Sequence, residues 1–174
     1  MRIAVFMGGT SSEKEISLKS GEAVLESLKK QGYDAYGVVL DEKNQVSAFV
    51  DNDYDLAYLV LHGGNGENGK IQAVLDILGK KYTGSGVLAS AITMDKDKTK
   101  QIAQSVGIKT PKSYRTVEEI GRFPVIIKPV DEGSSKGLFL CNNKEEAEEA
   151  IKKLAKPIIE DYITVSYTHL TLPT

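Results

Sequence analysis

The stretch Phe123-Pro-Val-Ile-Ile-Lys-Pro-Val-Asp-Glu-Gly-Ser-Ser-Lys-Gly-Leu-Phe-Leu140 sets a lysine at the end of an apolar, β-branched run and follows it with a turn rich in glycine and serine. Val125 to Ile127 reads as a buried strand, so an ammonium at Lys128 is costly there unless an anion meets it. Gly133 and Gly137 free the backbone ahead of a second strand, Leu138 to Cys141, so that amides and the Ser134 and Ser135 hydroxyls can close over a polyphosphate. ATP is the expected anion. The competing reading is a solvated hairpin loop, because turns of this composition are common.

Working outward, apolar strands and amphipathic helices alternate along the chain, which predicts an α/β architecture with a largely parallel sheet. Ile3 to Met7 is the first strand; a helix follows from Glu13 to about Gln31, with Ile16, Val24, Leu25 and Leu28 at helical spacing and Gly32 as its stop. Ala35 to Leu40 and Leu56 to His62 are the next strands, and Lys70 to Leu78 and Val87 to Ile92 the next helices. The boundary of a first domain is expected near Met94. A second unit then reads as helix Asp95 to Val106, strand Lys112 to Arg115, a short helix Val117 to Gly121, the hairpin around the glycine turn, helix Lys144 to Leu154 and strand Pro157 to Tyr162. Its sheet is expected to need further strands and a covering layer, leaving an edge and an apolar face open.

Composition bounds the reading. With 174 residues, 41% hydrophobic and 26% charged, the chain holds one full domain and part of another. A net charge of -2 with dispersed basic residues argues against a nucleic-acid partner. No segment approaches a membrane span, and the short apolar start is not a signal peptide. The single Cys141 rules out an internal disulfide and fits a reducing cytoplasm, where it is expected as a buried small hydrophobe.

The last segment, Thr164-Val-Ser-Tyr-Thr-His-Leu-Thr-Leu-Pro-Thr174, carries no charge and no strand or helix pattern. It resembles one translation frame of a sequencing-library adapter, so residues 164–174 are expected to be a non-native tail on a gene fragment. In that case His62 is the only native histidine.

Two further constellations carry chemistry. Gly8-Gly9-Thr10-Ser11-Ser12-Glu13 joins a strand to a helix and points amides and hydroxyls at the carboxyl edge of the sheet, where open α/β sheets bind ligands. Glu13 there suits a cationic amine; the alternative is helix capping by Ser11 or Ser12. His62-Gly-Gly-Asn-Gly-Glu-Asn-Gly69 follows the third strand with one titratable imidazole, which could equally be a structural hydrogen-bonder, while Glu67 could cap the next helix. No ligand spacing for zinc surrounds His62.

Taken in order, these motifs, together with Tyr82-Thr-Gly-Ser-Gly86 and Met94-Asp-Lys96, resemble the D-alanine-D-alanine ligase family of the ATP-grasp superfamily over nearly all of residues 1–163. The resemblance implies a Rossmann-like, parallel-sheet substrate-binding domain at 1–94 and the first, truncated part of an ATP-grasp domain at 95–163. It implies that ATP phosphorylates the carboxylate of one D-alanine and that the amine of a second attacks, forming the dipeptide of the cell wall. By the same resemblance Glu13 binds the first amino group, and Ser134 is hydrogen-bonded to it. His62 and Glu67 support the substrate pocket. Lys96 and Lys128 meet the phosphates beside Ser134 and Ser135, Glu160 contacts the adenine, and the backbone of Ile163 lies at the hinge. Asp161 stands where relatives often carry lysine, and Asn68 where they carry aspartate.

The family's Mg2+ or Mn2+ ligands and second-substrate site fall beyond this sequence. The parent is therefore expected to be a cytoplasmic ligase, homodimeric like its relatives, and the 174-residue chain inactive in ligation. Ligases making D-alanyl-D-lactate or D-alanyl-D-serine, and a non-catalytic nucleotide-binding module, are the alternative readings.

Overall fold

The computed structural model describes residues 1–164, and the adapter-like tail lies outside the described residues apart from Thr164. The chain divides into two compact units, Met1–Thr99 and a second beginning at Lys100.

The first unit is built on β1 (Arg2–Gly8), whose residues Ile3 to Met7 are at most 3% exposed. A strand apolar at every position must be covered on both faces, and that is the arrangement found. Helix α1 (Lys14–Lys30) leads to β2 (Asp34–Leu40); α2 (Ser47–Val50) and β3 (Leu56–Leu59) follow, then α3 (Lys70–Ile77), β4 (Lys81–Tyr82), α4 (Val87–Met94) and α5 (Lys96–Ser105), within which the division falls. The sheet is parallel, in the order β2-β1-β3-β4. Because side chains alternate along a strand, Ile3, Val5 and Met7 meet Leu18, Val24, Leu25 and Leu28 of α1, while Ala4 and Phe6 face Phe49, Tyr54, Ile71 and Leu75. Phe6 stacks on Phe49 with centroids 4.3 Å apart and meets Tyr54 edge-on. Ile16, expected on the buried stripe of α1, is 54% exposed, since the helix rolls its Leu18–Leu25–Leu28 side toward β1.

Helix α1 ends where glycine permits a left-handed residue: at Gly32 (φ +82) the Tyr33 amide donates to Leu28 O at 3.1 Å and the Gly32 amide to Lys29 O at 3.0 Å. The same pair of bonds closes α3 at Gly79 and α5 at Gly107. The third strand is shorter than expected; beyond Leu59 the Val60 amide still donates to Phe6 O, but the chain then turns into the His62 loop.

The second unit has a different sheet. Its strands β5 (Ser113–Tyr114), β6 (Val125–Pro129), β7 (Phe139–Cys141) and β8 (Pro157–Asp161) lie in the order β5-β8-β6-β7, every pair antiparallel. The parallel sheet expected for the N-terminal domain is found in the first unit, and in the second the expected β6–β7 hairpin, connected through residues 130–138, reverses the chain. Helix α6 (Lys144–Lys152) packs Ala147 and Ala150 on Val125, Ile127, Cys141 and Ile159. It begins with a side-chain cap, in which Asn143 Oδ1 accepts from the Glu146 amide, and the Glu146 carboxylate accepts from the amide of Asn142, the residue before the cap. Cys141 is buried, and burial raises its thiol pKa.

Candidate functional site

In the first unit the polar groups collect where β1 and β3 end. Gly8 and Gly9 hold φ +88 and +95, and a Cβ on Gly8 would sit 2.8 Å from Leu40 O, so this turn admits only glycine without strain. The fully buried Ser17 of α1 ties the edge together: its Oγ accepts from the Gly8 amide at 2.8 Å and donates to Val60 O. Ser11 Oγ donates to His62 O and accepts from the Glu13 amide at 3.1 Å, which joins the two glycine-rich motifs directly. Ser11 therefore braces the backbone of Glu13, and α1 has no side-chain cap. A Cβ on Gly63 would lie 2.9 Å from Glu13 Oε2, so glycine at 63 is what lets the carboxylate settle over the His62 loop.

His62 is half-buried, its Nε2 is shut from solvent with no protein partner, and the residue borders a small recess with Gly8, Thr10, Ser11, Gln45 and Asn65. That orphaned nitrogen departs from the structural hydrogen-bonder alternative. Glu67 is exposed and does not cap α3; the Lys70 amide bonds Asn68 Oδ1 at 3.2 Å instead.

In the second unit the arrangement is electrostatic. Lys128 and Ile126 share one face of β6, and Ile126 pairs with Glu160, which places the Glu160 carboxylate diagonally across from Lys128. Lys128 Nζ lies 2.6 Å from Glu160 Oε2. The other oxygen, Oε1, accepts from Lys100 Nζ at 2.5 Å, and that ammonium also donates to Ser113 Oγ, the register partner of Glu160 on β5. The side chains of Glu160 and Lys100 are 5% and 11% exposed, against 27% for Lys128. Burial pushes the Glu160 carboxyl pKa up, but the hydrogen bonds and charges of the two lysines outweigh it and hold the group below the usual carboxylate range.

The glycine turn after β6 is exposed from Asp131 to Leu138, with Ser134 and Ser135 both in the left-handed region at φ +53 and +57. Two such serines in succession are sterically costly, on the order of 1–2 kcal/mol per residue. Lys96 is the first residue of α5, and Ile163 is half exposed just past β8. Asp161, the departure noted above, accepts from Tyr114 Oη at 2.7 Å and from Arg122 at 2.9 Å, so its side chain belongs to the opposite face from Glu160.

Sequence reasoning missed Lys100 and Ser17. Lys100 sits in the run Lys96-Asp-Lys-Thr-Lys100, which reads as a solvated helix face, and its partner is 60 residues away. Nothing local signals that this one lysine of the run is buried.

A parallel α/β unit with a glycine turn at its carboxyl edge, followed by an antiparallel sheet with a lysine before a glycine-serine hairpin, defines the ATP-grasp class of fold. The D-ala D-ala ligase N-terminus family model matches residues 2–53 and 41–85, and the D-ala D-ala ligase C-terminus model matches residues 88–166. The chain belongs to the D-alanine-D-alanine ligase family. It is 96% identical over 163 residues to a D-alanine--D-alanine ligase of Fusobacterium nucleatum subsp. nucleatum, covering 94% of this chain and 57% of that relative. The structure of the Bacillus anthracis D-alanine--D-alanine ligase complexed with ATP aligns with a TM-score of 0.81 at 34% identity, over 94% of this chain and 59% of the other. The VanG D-Ala:D-Ser ligase of Enterococcus faecalis aligns at 0.79 with 28% identity, over 94% and 63%. The chain thus spans a little over half the length of the relatives it matches. Among the described residues no helix is long and apolar enough to cross a membrane.

Proposed function

We propose that this chain carries the first-substrate and nucleotide-binding parts of a cytoplasmic enzyme that joins two D-alanines at the expense of ATP for peptidoglycan. The near-identity to the Fusobacterium ligase carries the reading. In it, residues 1–94 form the substrate-binding domain and 95–163 part of the ATP-grasp domain. ATP supplies a phosphoryl group to the carboxylate of the first D-alanine, releasing ADP; the amine of the second then attacks the acyl carbon and phosphate departs.

The residues fit such a ligand. Lys128 is an ammonium at the mouth of a buried ion cluster, beside a turn that already holds two serines in a costly conformation. Lys96 and Lys128 spread the charge of the transferring phosphate, and Ser134 and Ser135 line the polyphosphate. Glu160 and the backbone of Ile163 meet the adenine. Glu13, laid over Gly63, takes the ammonium of the first D-alanine, with His62 and Glu67 in support. The divalent cation implied by the family does not fit the described residues, among which no cluster of three or more carboxylate, imidazole or thiol groups stands together, and no step here runs through it.

The test is D-alanine-dependent phosphate release with dipeptide formed by the protein extended to the length of its relatives, which we infer to be a homodimer. Release that ignores D-alanine would sink the reading. The 174-residue chain, lacking counterparts to the rest of those relatives, is expected to form no dipeptide. The likeness to a D-Ala:D-Ser ligase favours a second reading, in which D-serine is the acceptor, and offering both amino acids in competition separates the two.

A further inference from the structure

The Glu160 carboxylate is shared between two ammoniums, one on each oxygen, and the two are not equivalent. Lys100 is nearly closed off and has a second acceptor in Ser113, whereas Lys128 is the more exposed and pairs with Glu160. Any anion that engages Lys128 competes with Glu160 for it. If Lys128 were the only counter-ion, drawing it away would leave a buried carboxylate unpaired, and that penalty would be subtracted from the anion's affinity.

We propose that Lys100 is a positioning residue for Lys128: by keeping the buried Glu160 carboxylate balanced, it frees Lys128 to turn from Oε2 to a phosphate oxygen of the nucleotide. This rests on the nucleotide reading above. Lys100 touches no phosphate in the scheme; it acts through Glu160. The sheet explains why the job falls to a residue of α5. Glu160 is flanked on its face by Ser113 on β5 and by Ile126 on β6, so neither neighbouring strand supplies a second cation at that register.

The experiment titrates the 15N-labelled chain with ATP and separately with adenosine, for the unsubstituted protein, K100Q and K100R. K100Q keeps a donor for Glu160 but removes the charge, and is expected to weaken ATP by about tenfold or more while adenosine stays within about threefold. K100R keeps the charge and is expected to hold ATP within about threefold. An unchanged ATP affinity in K100Q overturns the inference. So does an equal loss for ATP and adenosine, which a merely structural role would produce. K100R serves by itself if K100Q does not fold: a tenfold loss of ATP there shows that charge is not the property that matters. Failure of the unsubstituted protein to bind ATP overturns the nucleotide reading together with this one, whereas binding with an indifferent K100Q overturns this one alone.

Discussion

In the first unit the central strand is apolar on both faces and the site's polar groups stand on the loops after β1 and β3; in the second, a carboxylate and two ammoniums lie on the sheet face itself. The contrast follows from how each sheet is covered. A parallel sheet sandwiched between α1 and the α2–α3 side has no face on which a charge could stay solvated, so its chemistry moves to the carboxyl edge. The second sheet spends one face on α6, and the other face is left to Glu160, Lys100 and Lys128, whose mutual pairing makes their burial tolerable. The open apolar face expected for this unit is thus charged at its centre.

Acid should separate the two sheets most sharply. The Glu160 and Asp161 carboxyl pKa values are depressed in the folded chain, Glu160 by its lysines against burial, Asp161 by the Tyr114 hydroxyl first and Arg122 after it. A depressed carboxyl stabilises the fold fully above its unfolded pKa, about 4, and that contribution is lost as pH falls through the lower folded value. Amide exchange followed from pH 6 downward should therefore show β8 losing protection below about pH 4, ahead of β1. Loss of β1 first would reverse the comparison.

Phe6→Ala removes the ring between Phe49 and Tyr54 and should cost about 3–5 kcal/mol in urea unfolding followed on first-unit amides. A cost under 1 kcal/mol would mean that the apolar strand is not what holds that sheet. Gly21→Ala tests the cover itself: a Cβ there would meet Met7 Cβ at 2.5 Å, so α1 must lift from β1, for a loss of roughly 1–3 kcal/mol. The smallest effect belongs to the second unit's cover, where Asn143→Ala removes the cap of α6 and should lower stability by about 1 kcal/mol, read from the same denaturant curves on second-unit amides.

What could be read beforehand follows the same division. Strand β1, helix α1 with its stop at Gly32, and the hairpin of β6 and β7 announce themselves through local pattern, because runs, periodicities and glycine stops act over a few residues. The four-residue α2 does not, since Ala48 and Phe49 are buried by what packs on them rather than by any helical stripe. Strand β3 ends at Leu59 although Val60 and Leu61 are apolar enough to continue it, because the Ser17 and Ser11 hydroxyls draw the Val60 and His62 carbonyls away from the ladder.

From the sequence alone come the order of strands and helices, the glycine turns that must carry φ above zero, and the motifs that name the family, all properties of short stretches. Only the tertiary structure decided that Ser11 clasps His62 O, that Gly63 seats Glu13, and that Lys100 rather than Lys98 is buried against Glu160. Each of these three is a contact between residues tens of positions apart, whose energy depends on burial and register, and none exists until the chain has folded.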